Sequence, residues 1–429
     1  MAYYHTLFVV GGGGREHALA WHLRRCYPHA RLYCAPGNPG IARGATCLPI
    51  PPHDLTALAD AAAALAADLT IVGPEAPLVA GLADLFKARG LPVLGPGAAA
   101  AALEGSKAFA KALMERHGIP TARYGVFDGA GAALAYIEQA PGPLVVKADG
   151  LAAGKGVVVC DEPDQARAAA RAMLAGAFGQ AGRRIVIEER LEGDEVSVFA
   201  LVDGEAAALL PAAQDHKRLG DGDCGPNTGG MGAAAPYPLS EALRRRILRE
   251  IIEPVARAMC AEGHPYRGVL FAGLMLTRDG PKVLEFNCRL GDPEAQVILP
   301  LLRIGLPDAV DALHAGRLGP HDLATPEGAA VGVVLAARGY PGAPEVGVMV
   351  EGLEAAAREA LVFHSGTAER DGRVVTAGGR VVTVVGCDAT PRAARERAYR
   401  AVASVAFAGM QYRRDIGARL LAAPVAGRA

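Results

Sequence analysis

Residues 285–294 read Glu285-Phe286-Asn287-Cys288-Arg289-Leu290-Gly291-Asp292-Pro293-Glu294. They end two apolar, β-rich runs, 269–277 and 282–286, joined by a turn at Arg278-Asp279-Gly280. Successive side chains of a strand point to opposite faces, so Glu285, Asn287 and Arg289 fall on one face and Phe286 on the other. Two oxygen ligands beside an arginine are what Mg²⁺ and a transferring phosphoryl group require. The ion bridges phosphate oxygens, and the guanidinium offsets developing charge. The competing reading, a solvent-facing polar strand edge, fits poorly with the apolar strand that leads into it.

Upstream, residues 145–157 read VVKADGLAAGKGV, in which Lys147 and Lys155 flank a glycine loop between two strands. Such a loop suits N–H donors and a mobile cation to nucleotide phosphates, against the plainer reading of a glycine hairpin with solvent lysines. It is not a Walker A loop: Gly150 and Gly154 are one residue too close, and Gly156 stands where Ser or Thr would hold Mg²⁺. After the apolar strand Ile185-Val186-Ile187 come Glu188, Glu189, Gly193, Asp194 and Glu195, an acidic turn offering backbone groups to an adenine edge and a carboxylate to a ribose. Residues 214–232, QDHKRLGDGDCGPNTGGMG, form a long polar, glycine-rich loop whose mixed charges favour a role in covering substrate over disorder.

The first hundred residues alternate β-rich and helical stretches, with strands at 6–10, 31–34, 69–72 and 92–94 and helices at 16–26, 55–66 and 78–89. This rhythm predicts a parallel α/β sheet with a site at its strand ends, where glycine and proline cluster. Gly11-Gly12-Gly13-Gly14-Arg15-Glu16-His17 there reads either as a tight turn or as a phosphate cradle at a helix N-terminus. As a dinucleotide fingerprint it fails, because Glu16 or His17 stands where the third glycine belongs and no acid ends the second strand. In Gly73-Pro74-Glu75, Glu75 reads equally as a ribose ligand and as an acid at a helix N-terminus.

A chain of 429 residues is too long for one core. The expected units are 1–102, a parallel α/β domain; 103–325, with a small α+β lobe at about 120–190 and a long helix at 240–262; and 326–429, a smaller mixed α/β domain with strands at 330–336, 374–376 and 380–385 and a helix at 391–407. A net charge of −1 does not indicate a basic surface for nucleic acid. The start lacks a leader pattern and no run of about 18 apolar residues occurs, from which a cytoplasmic protein without a membrane partner is expected. The eight cysteines show no paired or zinc-like spacing and are expected to be reduced and mostly buried. Lysines are few beside arginines, and Lys107, Lys147, Lys155 and Lys217 lie inside these motifs, at sites that favour a compact ammonium.

Taken together, these strings resemble the phosphoribosylamine–glycine ligase family, the glycinamide ribonucleotide synthetases of the ATP-grasp superfamily. The resemblance covers residues 9–19, 72–81, 103–109, 145–159, 187–195, 214–232, 273–296, 364–367 and 414–417, nearly end to end. Departures at Pro39, Cys224, Leu290, Ala295 and Ser365 replace no charged group. The resemblance implies a central ATP-grasp fold with a mobile small lobe. ATP would lie between that lobe and the strand end at Glu285, served by Lys107, Lys147, Gly154, Lys155, Gly156, Glu188, Glu189, Leu191 and Glu195. It implies Mg²⁺ or Mn²⁺ on Glu285 and Asn287, and catalytic roles for Arg289, Lys147 and Asp215. Glycine and 5-phosphoribosylamine would meet Gly13, Gly14, Arg15, Glu75, Asp215, Lys217, Asp292, Gly366, Thr367 and Arg414, in a monomer whose partners are small molecules.

Three rivals are weighed against it. Another ATP-grasp ligase, of the biotin carboxylase or purine carboxylase kind, is opposed by residues 214–232 and 288–294. A nicotinamide-dependent oxidoreductase is opposed by the broken fingerprint, and a nucleotide-binding regulator by intact Lys147, Glu285, Asn287 and Arg289.

Overall fold

The computed structural model describes residues 4–152 and 156–422. Five parallel strands, β1 (Thr6–Gly11), β2 (Arg31–Pro36), β3 (Thr46–Cys47), β4 (Leu69–Val72) and β5 (Val93–Leu94), form the first sheet in the order β3-β2-β1-β4-β5. Every residue of β1 is buried, as expected of a central parallel strand covered on both faces. The strand order reverses beside β1, so the turns after β1 and β4 open on one crevice. The helix expected over 78–89 is two helices, Glu75–Val79 and Leu82–Ala88, because Gly81 between them has φ +90°.

The lobe is a four-stranded antiparallel sheet of β6 (Tyr124–Phe127), β7 (Leu144–Ala148), β8 (Val157–Cys160) and β9 (Ile185–Glu189), ordered β6-β9-β7-β8. Helices Ala130–Gln139 and Pro163–Ala172 cover it, and Ile137, Val146, Ala166, Met173 and Ile187 belong to a core separate from the main ones. A separate core lets the lobe hold its shape as a unit. The lobe joins the body at two places: Val283 N–H donates to Pro120 O at 2.8 Å and Thr121 Oγ1 to Val283 O at 2.7 Å, while Asp149 after β7 accepts from Lys107 N–H at 3.0 Å and Ala108 N–H at 2.7 Å.

Downstream lie β10 (Asp194–Asp203), β11 (Ala206–Leu209), the short β12 (Gln214–Asp215), β13 (Arg218–Gly220), β14 (Cys224–Asn227) and β15 (Gly232–Ala235), then β16 (Arg267–Thr277) and β17 (Gly280–Asn287). The central sheet is β11-β10-β16-β17, and the long β16–β17 hairpin carries Glu285 and Asn287 at its end. The helix expected over 240–262 contains a π-turn at Leu248–Ile252, where Pro254 supplies no N–H for the regular ladder.

The last part adds β18 (Ala329–Ala336), β19 (Leu361–His364), the hairpin β20 (Thr367–Arg370) and β21 (Arg373–Thr376), and β22 (Arg380–Asp388). Its sheet runs β12-β15-β18-β22-β19, so two strands from the 214–235 segment pair into the C-terminal layer. That pairing carries the polar loop from the central sheet into the C-terminal sheet. All eight cysteines are free; Cys34, Cys160 and Cys288 are buried and Cys224 is exposed. Among the described residues no helix is long and apolar enough to cross a membrane.

Candidate active site

At the end of β17, Phe286 turns into the main core while Glu285 and Asn287 face the cleft side, opposite Gly273 and Phe271 of β16. Burial pushes the Glu285 carboxyl up, but Lys217, Lys107, Lys147 and Arg289 outweigh it and hold it below the usual carboxylate range. Among the described residues no cation closes to ion-pair distance on Glu285, so its charge is held by a ring of more distant cations. Asn287 Oδ1 accepts from Arg289 Nη2 at 3.4 Å, and its buried Nδ2 has no partner. A carboxylate and an amide oxygen are hard donors of the kind Mg²⁺ takes together with phosphate oxygens and water. No group of three His, Cys, Asp or Glu that could hold a metal ion converges among the described residues.

Across from this strand end, Lys147 on β7 donates to Leu284 O at 3.0 Å and lies 2.9 Å from Glu188 Oε1. Lys111, which the motif reading passed over, lies 3.1 Å from the other oxygen of the same carboxylate. Its signal was positional: one helical turn after Lys107 on the helix Lys107–Arg116. Glu188 is thus a buried counterion, and only its backbone remains for a base edge. Glu189 is committed to Arg123, accepting from its N–H at 3.0 Å and its Nε at 2.7 Å. Leu191 is half-buried at the loop that follows β9. Gly156 O accepts from Ala148 N–H at 2.8 Å at the loop's exit, whereas Gly154 and Lys155 lie outside the described residues.

Arg289 does not stand free beside Asn287. Its Nε donates to Glu75 Oε2 at 2.9 Å, and its Nη2 lies 2.8 Å from Glu104 Oε1, while Glu104 Oε2 accepts the Cys288 N–H at 2.7 Å. Glu104, only 7% exposed and unmarked in the sequence reading, precedes the Ser106-Lys107 pair. Glu75 is therefore both the first-turn acid of its helix and an arginine partner.

The glycine turn after β1 also departs from a set of free donors. Gly13 N–H donates to Glu16 Oε2 at 2.6 Å, and Arg15 N–H to Asp292 Oδ2 at 3.3 Å. Arg15 Nε holds the other oxygen of Glu16 at 2.6 Å. This carboxylate sits against Gly11 and Gly73, where an added Cβ would come within 2.5 Å of Glu16 Cγ and 2.1 Å of Oε1 respectively. Gly14 lies against Gln296 and Ser365, which brings the N-terminal turn to the C-terminal 364–367 turn. Asp292 accepts from Gln296 Nε2 at 2.7 Å and lies 3.4 Å from Arg380; burial raises its carboxyl, but Arg380 and Arg15 hold it below the usual range.

Lys217 pairs with Glu195 and, despite burial, is held charged by Glu195, Glu285 and Asp215. Burial and then Glu294 push Asp215 well above the usual range, and burial raises Glu294, whose Oε1 accepts from Ser197 Oγ at 2.9 Å. Gly366 is seated on Gly378 and Arg380 O, and Thr367 Oγ1 lies 3.1 Å from His364 Nδ1. Arg414 is held by its backbone, its N–H donating to Asp221 Oδ1 at 2.7 Å and its carbonyl accepting from Arg395 Nη2 at 2.6 Å, with its side chain exposed. The buried guanidinium is its neighbour Arg413, paired to Asp223 and Asp415 at 2.7 and 2.6 Å.

A four-stranded lobe presenting a buried lysine to a hairpin that ends in a carboxylate and an amide defines the ATP-grasp class. Family models agree: phosphoribosylglycinamide synthetase N domain matches residues 5–104, its ATP-grasp (A) domain 105–295, and its C domain 330–419. The chain belongs to the phosphoribosylglycinamide synthetase family. It is 51% identical over 423 residues to a phosphoribosylamine–glycine ligase of Pseudomonas aeruginosa, covering 97% of this chain and 98% of that one. The crystal structure of a phosphoribosylamine–glycine ligase from Thermotoga maritima superimposes with a TM-score of 0.84 at 37% identity, covering 96% and 99% of the two chains. A biotin carboxylase domain from Hydrogenobacter thermophilus shares the fold alone, at a TM-score of 0.71 and 16% identity over 96% and 92%.

Proposed function

We propose that this chain joins glycine to 5-phosphoribosylamine at the expense of ATP, releasing ADP and phosphate and giving glycinamide ribonucleotide for de novo purine synthesis. The observation that carries this reading is Glu285, an ionised carboxylate at a strand end ringed by Lys107, Lys147, Lys217 and Arg289. Four cations around one acid suit a polyphosphate far better than any neutral substrate.

A carboxylate is a poor electrophile for an amine. Transfer of the γ-phosphoryl group to a glycine carboxylate oxygen gives glycyl phosphate and ADP. The amine nitrogen of phosphoribosylamine then attacks the carbonyl carbon, loses a proton, and expels phosphate. Catalysis of this kind is mainly positioning and charge stabilisation. Lys107 and Lys147 hold phosphates, the backbone of residues 188–191 lines the base, and Glu195 reaches the ribose. Glu285 and Asn287 would hold Mg²⁺ or Mn²⁺, which when bound neutralises phosphate charge. Arg289, fixed by Glu75 and Glu104, offsets the charge that develops at the transferring group. Asp215, whose carboxyl is raised by burial and by Glu294, and Lys217 serve the glycine side. The turns at Gly13–Arg15, Glu75, Asp292, Gly366–Thr367 and Arg414 serve phosphoribosylamine, with Arg414 contributing only by moving its exposed side chain. Closure of the glycine loop, with Gly154, Lys155 and Gly156, excludes water that would hydrolyse the acyl phosphate.

The domains in this reading are 1–102, 103–325 with the lobe at about 120–190, and 326–429, in a cytoplasmic monomer that acts on small molecules and uses neither nucleic acid nor membrane. The test is ADP and phosphate release with Mg²⁺-ATP, glycine and freshly generated phosphoribosylamine, each omitted in turn. Turnover that needs all three supports the reading; hydrolysis indifferent to glycine and phosphoribosylamine overturns it.

A further inference from the structure

Lys111 is 2% exposed, and its Nζ donates to Thr121 Oγ1 at 2.7 Å. The same Nζ lies 3.1 Å from one oxygen of Glu188, while Lys147 lies 2.9 Å from the other. One buried carboxylate therefore serves two buried ammoniums, which come from the helix Lys107–Arg116 and from β7. The Thr121 hydroxyl carries the linkage on to Val283 O at 2.7 Å, and Lys147 reaches Leu284 O at 3.0 Å. The trio thus spans the joint between the lobe and β17, and with both ammoniums charged it carries one positive charge in excess. A buried excess charge is destabilising unless something else balances it.

We propose that Lys111 is a positioning residue for nucleotide binding: acting through Glu188 it fixes Lys147, and its ammonium gives the joint a positive charge in excess that the phosphates of a nucleoside triphosphate balance. The proposal rests on the reading of the cleft as a nucleotide site. Burial, then Lys147, push Lys111 down to about 8, against the opposing pull of Glu188 and Glu189 on β9. Facing it from β6 is the Tyr124 ring, 5.6 Å from Nζ, whose hydroxyl donates to Glu115 at 2.7 Å. Arriving phosphate favours the ammonium, so binding draws in a proton. At pH 8 Lys111 is about half protonated and takes up roughly 0.5 H⁺; at pH 6.5 it is already charged and takes up almost none.

The test is calorimetric titration of the full chain with a non-hydrolysable ATP analogue and Mg²⁺, at pH 6.5 and 8, in buffers of different ionisation enthalpy. Expected are uptake of roughly half a proton at pH 8 and near zero at pH 6.5 for the unaltered protein. Lys111→Arg, permanently charged, should keep the affinity within a few-fold but lose the uptake. Lys111→Met should raise KM for ATP by about tenfold or more with KM for glycine nearly unchanged. Binding without uptake at pH 8, or Lys111→Arg no better than Lys111→Met, overturns the proposal. Should Lys111→Met fail to fold, the unaltered protein and Lys111→Arg decide it. Failure of the unaltered protein to bind the analogue removes the nucleotide reading itself.

Discussion

The Nε of Arg289 sits 2.9 Å from Oε2 of Glu75, tying the arginine that follows β17 to the turn that follows β4. The guanidinium is only 16% exposed and also meets Glu104, so its plane is set before any substrate arrives. Such a fork cannot be replaced by an ammonium. Arg289→Lys should lower kcat by roughly 10²-fold with KM for ATP changed only a few-fold, as expected for a group that acts on the transition state. Equal losses in kcat and in ATP affinity, read by steady-state kinetics, would remove that role. Arg289→Met should in addition destabilise the fold by about 3–5 kcal/mol in urea, because Glu104 is left buried and unpaired.

Glu285→Gln removes the charge that the surrounding cations keep ionised. The concentration of Mg²⁺ giving half-maximal activity should rise by about tenfold or more, with Asn287→Ala showing a smaller shift. A metal titration of activity at saturating ATP checks it, and an unchanged midpoint in Glu285→Gln contradicts the assignment.

The hairpin end was legible because alternation along a strand is a local rule: Phe286 falls on one face and Glu285 and Asn287 on the other, while Arg289, expected on the same face, lies beyond the strand, which ends at Asn287. The parallel N-terminal sheet was legible from another local signal, the rhythm of short β-rich runs and helical stretches. What escaped were relations between distant segments. The two-residue β12 has too little sequence to announce that it pairs with β15 and thereby joins the C-terminal sheet. Glu104 and Glu294 act through long-range partners that no spacing encodes, and the one-turn spacing of Lys111 from Lys107 does not name Glu188 as its partner. In the aperiodic stretch near the C-terminus nothing distinguishes Arg413 from Arg414, yet the first is buried between two aspartates and the second is exposed. The strand Tyr124–Phe127 is short and holds Gly125, which masks its β character.

Four imidazoles are held neutral, with His22, His216 and His364 buried and His17 half-buried. Burial lowers His17 to about 3 and His22, His216 and His364 to about 4, against 6.5 when unfolded. A depressed histidine contributes stability that is present above about pH 6.5 and is lost as pH falls toward 4, because the unfolded chain binds the proton first. Each costs roughly 1.4 kcal/mol per pH unit within that window. Asp215, raised in the fold, acts in the opposite direction, so a difference between variants isolates the effect. His216, whose two ring nitrogens have no partner, should accept Leu, and His216→Leu should show a shallower fall of the urea midpoint between pH 6.5 and 5 than the parent protein. Parallel profiles would contradict this.

Gly73→Ala would place a methyl 2.1 Å from Glu16 Oε1, displacing the carboxylate that holds Gly13 N–H and Arg15. A loss of about 1–3 kcal/mol and a rise in KM for phosphoribosylamine larger than that for ATP are expected. Thermal unfolding and kinetics with each substrate varied would detect the reverse ordering.

The central chemical claim is that glycine is activated as an acyl phosphate. With both carboxyl oxygens of glycine labelled with ¹⁸O, attack by the amine breaks the carbon–oxygen bond to the phosphoryl group, and that oxygen leaves with phosphate. Mass spectrometry of the released phosphate should find one ¹⁸O per molecule formed in a complete reaction. Unlabelled phosphate alongside normal formation of glycinamide product would contradict the acyl phosphate route.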